Sequence, residues 1–155
     1  MNKDIVKVDQ SELIRVVREA AESGGETRIT VVGNSMYPFL RNGIDSVVLT
    51  AAGDIRPCDV LFYLRGDGHC VLHRCIKIKN GEYVMCGDNQ TELEYGIKKE
   101  NIIAAARVFY RGDRKITDKT AWYRLYKLLW CTLFPMRPFM CALLKGVMRV
   151  KRIFK

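Results

Sequence analysis

Between residues 11 and 22 the apolar positions recur at helical spacing. Leu13, Val16, Val17, Ala20 and Ala21 fall on one face, with charged residues opposite. The pattern predicts an amphipathic helix over 11–22, capped by Asp9 or Ser11 and ended by Gly24-Gly25. Beyond it the period shortens. Residues 28–32, 45–50, 60–64, 69–78, 82–86 and 102–110 are short apolar or β-branched runs bounded by turn residues. Gly66-Asp67-Gly68 and Asn80-Gly81 are hairpin signals. Short strands with tight turns predict a mainly β fold, a barrel or folded sheet, rather than a parallel α/β fold.

From Thr120 to Phe154 the pattern changes again. Trp122, Tyr123, Tyr126, Trp130, Phe134 and Phe139 lie among Arg124, Lys127, Arg137 and Lys145. This reads as two amphipathic helices separated by Pro135-Met136-Arg137-Pro138. The longest uncharged run, 128–136, has nine residues, whereas a spanning helix needs roughly twenty. Placing Arg137 at mid-membrane would cost roughly 3 kcal/mol or more. An interfacial helix avoids that cost. The expectation is therefore a tail, 117–155, that lies on a membrane surface. Packing against the β domain is the alternative. The organisation expected is a helical segment 1–26, a β-rich domain 27–116 and this tail.

Charge sharpens the division. The formal net charge is +9. Residues 1–118 hold 17 basic and 17 acidic side chains, which cancel, and residues 119–155 hold 9 basic and no acidic ones. Each cationic side chain near anionic lipid adds roughly 1 kcal/mol. Aromatics among cations would also permit stacking on nucleic acid, but the long apolar faces fit lipid better, so no nucleic-acid partner is expected. On this division the β domain should fold without the tail. Helix 11–22 is too little for a DNA-binding helix-turn-helix domain. Met1-Asn2-Lys3-Asp4 carries no apolar stretch, so no signal peptide is expected.

A chain facing the cytosol keeps its six cysteines reduced, so no disulfide framework is expected. His69, Cys70, His73 and Cys75 lack paired C-x-x-C spacing and sit in a strand-like run, so neither a metal nor a cofactor is expected.

Three blocks carry candidate chemistry. Gly33-Asn34-Ser35-Met36-Tyr37-Pro38 follows the 28–32 run, and a serine there can present its hydroxyl at a sheet edge. His73-Arg74 lies in the 69–78 strand, and Gly87-Asp88-Asn89 follows the 82–86 strand. A serine becomes a nucleophile when a base takes its proton, and an acid orients that base. His73 is the expected base. Lys77, on the same strand face as His73 and Cys75, is second in line but would need burial to be neutral.

In order and spacing these blocks resemble those of the signal peptidase I superfamily, which includes LexA-type self-cleaving peptidases. The likeness is to the endoplasmic-reticulum-type branch and its sporulation-type bacterial relatives, whose base is histidine rather than lysine. It covers about residues 28–110. The resemblance implies a folded β-sheet barrel and a serine endopeptidase that removes a leader or signal segment. It implies Ser35 as nucleophile and His73 as base. The third member falls six residues after Asp88, on Glu94, where relatives have aspartate; Asp88 is the alternative, its other role being to brace the turn. Asn34, Met36 and Pro38 complete the expected oxyanion and binding residues. The chain departs from the pattern at three places. Gly33 replaces a serine that helps bind the oxyanion, Ile44 interrupts a Gly-Asp pair, and Cys58 stands where glycine is usual. These departures support a rival reading, a catalytically impaired peptide-binding module. With no apolar span before the serine block and a basic amphipathic tail, the expected peptidase works at the inner face of the cell membrane, in the cytoplasm.

Overall fold

The computed structural model of the chain describes residues 9–143 and Gly146. The N-terminus read for a signal peptide and the basic end of the tail lie outside the described residues. Helix α1 spans Gln10–Glu22, and the Asp9 carboxylate accepts the Ser11 N–H at its start. Its buried face is narrower than the periodicity predicts. Val17 and Ala21 are buried, but Val16 is 41% exposed. The helix packs against the strands at residues 102–111, 46–50 and 27–30, with Leu13 and Ile14 half-buried beside Val17.

Eight strands follow: β1 (Thr27–Thr30), β2 (Ser46–Thr50), β3 (Val60–Leu64), β4 (Cys70–Lys79), β5 (Glu82–Cys86), β6 (Glu94–Ile97), β7 (Ile102–Arg111) and β8 (Arg114–Thr117). They form a single antiparallel sheet in the order β1-β2-β7-β3-β4-β5-β6, with β8 also paired to β7. The predicted strands agree to within about two residues at most ends. β6 and β8 were not predicted, because each is four residues with little alternation. Neighbouring residues of β3 serve opposite faces. Val60 and Phe62 join a core with Met36, Phe39, Leu40 and Val17. Leu61 and Tyr63 join a second core with Cys75, Met85 and Ile97. This alternation is the period of two of a pleated strand.

The tail is part of the fold rather than an appendage. Helix α2 (Ala121–Thr132) is followed by a 3-10 turn, Phe134–Met136, and helical residues 137–143. Tyr123 is buried in the first core. Phe39 stacks on Tyr123 at 4.8 Å and on Tyr126 at 5.3 Å between ring centroids. The packing alternative therefore holds for this part of the tail, and Trp130 faces inward rather than toward a membrane. Cys58 and Cys131 are joined as a disulfide, contrary to the expectation of reduced thiols. α2 brings them together by laying Cys131 against the loop before β3. Cys58 has φ +74°, a conformation glycine adopts at little cost. No described helix is long and apolar enough to cross a membrane.

Candidate active site

Strand alternation divides the candidate residues between the two faces of the sheet. His73 lies opposite Leu61 and diagonal to Tyr63, on the second-core face. Arg74, the next residue, serves the other face. β5 brings Met85 beside Cys75, and β6 sets Glu94 opposite Met85. A carboxylate on β6 thus reaches the face that carries His73.

His73 is 1% exposed. Its Nδ1 lies 2.8 Å from Glu94 Oε1 and 3.2 Å from the Tyr63 hydroxyl. Tyr63 donates to Glu94 Oε2 at 2.8 Å, and Arg65 Nε donates to the same oxygen at 2.7 Å. A second Arg65 nitrogen closes a bidentate pair with Oε1. Burial pushes the Glu94 pKa up, but bonds from His73, Arg65 and Tyr63 outweigh it and hold the carboxyl well below the ordinary range. Burial, followed by the bond to Glu94, raises the Tyr63 phenol far above its ordinary value, so it stays a donor. With Nδ1 committed to Glu94, Nε2 is the ring nitrogen open for proton transfer.

Asp88 is directed elsewhere. Both its oxygens accept from Arg74, each at 2.8 Å, and Tyr126 adds a third bond at 3.0 Å. Arg74 and Asp88 are both fully buried. Arg74 also donates to the Cys58 carbonyl at 2.9 Å. The turn is braced, as the alternative role for Asp88 had it, but through an arginine side chain rather than backbone N–H groups.

The serine loop docks on that turn. The Ser35 carbonyl accepts the Asn89 N–H at 2.7 Å, and the Asn34 carbonyl accepts Asn89 Nδ2 at 3.2 Å. Gly87 allows the approach, because a Cβ there would lie 2.7 Å from the Ser35 carbonyl oxygen. Arg74 pairs with Cys86, the residue before Gly87, so the serine loop docks where the β4–β5 pairing ends. Among the described residues no hydrogen bond joins the Ser35 hydroxyl to His73.

The other expected site residues are distributed differently. Met36 is buried in the first core beside Phe39 and Leu40, so its side chain packs rather than lining a substrate site. Asn34 is exposed, and Pro38 is half-buried after a cis Tyr37-Pro38 peptide. Gly33 has φ +89°, a backbone conformation that glycine adopts at little cost and serine rarely adopts. Lys77 is exposed, because a register shift between Cys75 and Lys77 breaks the shared face. Among the described residues Asn89 Oδ1 is buried without a hydrogen-bond partner. A cavity of about 550 Å³ borders Arg65, Asn89, Gln90 and Glu94, with Cys141 from the tail on its wall.

Tyr63 and Arg65 were not anticipated. A signal existed: they precede the Gly66-Asp67-Gly68 turn, and antiparallel pairing across it brings β3 beside His73. Comparison of the chain with protein-family models, with curated proteins and with solved structures finds no match.

Proposed function

We propose that this protein is a serine endopeptidase of the signal-peptidase-like, LexA-like kind, with Ser35 as nucleophile, His73 as general base and Glu94 as the orienting acid. The observation that carries the reading is the 2.8 Å contact between His73 Nδ1 and Glu94 Oε1 on a buried imidazole. In acylation, Ser35 Oγ bonds to the scissile carbonyl carbon as its proton passes to His73 Nε2. Glu94 stabilises the imidazolium so formed. Collapse of the adduct breaks the C–N bond, and His73 gives its proton to the leaving amine. Water then attacks the acyl ester, losing a proton to His73, which returns it to Ser35 Oγ. The Ser35 N–H and the Asn34 side chain are the donors available to the oxyanion. By resemblance, the substrate is a leader or signal segment with small residues before the cut.

The site of action in this proposal is a membrane surface. Leu125, Leu128, Leu129, Met136, Phe139 and Leu143 are exposed along the tail. Residues 119–155 carry nine basic and no acidic side chains, so apolar contact and attraction to anionic lipid act together.

The rival is a peptide-binding module with impaired catalysis. It is favoured by Gly33 and by the lack of a hydrogen bond between the Ser35 hydroxyl and His73, although such bonds often tighten only when substrate binds. A serine-reactive acylating probe separates the two. It should label Ser35, His73→Ala should abolish labelling, and Lys77→Ala should leave it intact. Labelling that survives His73→Ala and disappears in Lys77→Ala would reassign the base, and no labelling of the wild-type protein would favour the rival.

A further inference from the structure

The tail makes contacts that packing alone does not require. Arg137 is 1% exposed, and its guanidinium bridges two backbones. Nη1 donates to the Gly87 carbonyl and Nη2 to the Trp130 carbonyl, each at 3.0 Å. Trp130 Nε1 donates to the next carbonyl of the turn, that of Asp88, at 3.2 Å. Two successive carbonyls of the Gly87–Asn89 turn are thus held by the tail. The following residue, Asn89, holds the Ser35 carbonyl through its N–H at 2.7 Å. Phe134 and Trp130 rings flank the guanidinium, at 4.6 and 5.7 Å from their centroids. The path from tail to nucleophile loop is Arg137, Gly87–Asn89, Ser35. It bypasses His73 and Glu94, which lie on the other face of the sheet.

We propose that the tail positions the nucleophile, with Arg137 as a positioning residue that acts on Ser35 through the Gly87–Asn89 turn. Resting on the serine-peptidase reading, this adds a regulatory consequence: anything that lifts the tail loosens Ser35 and leaves the His73–Glu94 pair intact. A buried, bidentate guanidinium suits this task because its planar fork fixes two acceptors at once. Lysine supplies the charge without the fork.

Full-length Arg137→Ala, Arg137→Lys and Trp130→Phe proteins would be compared with wild type at equal folded concentration. Acylation of Ser35 by a saturable probe should slow by about tenfold to a hundredfold in Arg137→Ala. The half-saturating probe concentration and the pH midpoint should change little, and added guanidinium ion should restore part of the rate. Arg137→Lys should recover less than wild-type rate. Hydrogen exchange gives a reading that does not depend on catalysis. The Asn89 amide should exchange faster in Arg137→Ala, with β4 amides unchanged. If Arg137→Ala fails to fold, Trp130→Phe decides, since it keeps an aromatic ring beside Arg137 and Tyr126 and removes the bond to the Asp88 carbonyl. Unchanged Asn89 exchange in the folded variants would overturn the proposal, as would a shifted pH midpoint. Absence of probe labelling in wild type would instead count against the peptidase reading, and the exchange measurement would still decide the tail's role.

Discussion

The His73 imidazole and the Glu94 carboxylate meet at 2.8 Å across 21 residues of sequence, while Asp88, nearer in the chain, sits on the opposite face in a buried pair with Arg74. The two acids therefore differ in what their loss should do.

Glu94→Gln should leave the protein folded and lower peptide turnover, because the imidazolium loses its counter-charge. Asp88→Asn should act first on stability. Removing one member of a buried ion pair typically costs about 3–5 kcal/mol. Denaturant unfolding together with turnover at equal folded concentration would check this. If Asp88→Asn were fully stable and Glu94→Gln fully active, the roles assigned here would be exchanged.

Acid should weaken the fold through Glu94 in a defined direction. Its folded pKa lies below the ordinary 4.5, so the stability it contributes is complete above that value and is lost as pH falls toward the depressed one. Buried Asp45 behaves alike: burial pushes its pKa up, but bonds from Arg41 and Gly112 hold it low. The difference between wild type and Glu94→Gln isolates the Glu94 part. Unfolding free energies of the two proteins should converge as pH falls below 4.5. Parallel curves throughout that range would show that Glu94 is not held ionised by its neighbours.

The outer face of the tail should bind lipid without being needed for the fold. Leu125→Ser with Phe139→Ser should reduce flotation with anionic vesicles and leave the melting temperature nearly unchanged, since both side chains are exposed, Phe139 by 71%. Salt should release wild-type protein only in part, because screening removes charge attraction but not apolar contact. Ending the chain at Asp118 should instead destabilise or aggregate the protein, because it strips Tyr123, Tyr126 and Trp130 from Phe39 and Asp88. Equal flotation of wild type and the double variant would remove the lipid role from this face.

Much of the fold was legible because local periodicity reports it. α1, the β3–β4 and β4–β5 hairpins and β7 follow from apolar spacing and turn residues, and the triad candidates from residue types in order. The sequence by itself also determined that excess positive charge belongs to the tail. It could not choose between Asp88 and Glu94, because that depends on which face of the sheet each acid reaches once β6 pairs with β5. Nor could it reveal that Tyr123 and Arg137 turn inward. An amphipathic helix presents a similar pattern to a protein core and to a membrane, and the partner on the buried side is decided by packing. Lys77 shows the same limit: a period of two put it on the His73 face, and a register shift in β4, invisible to the pattern, moved it out to solvent.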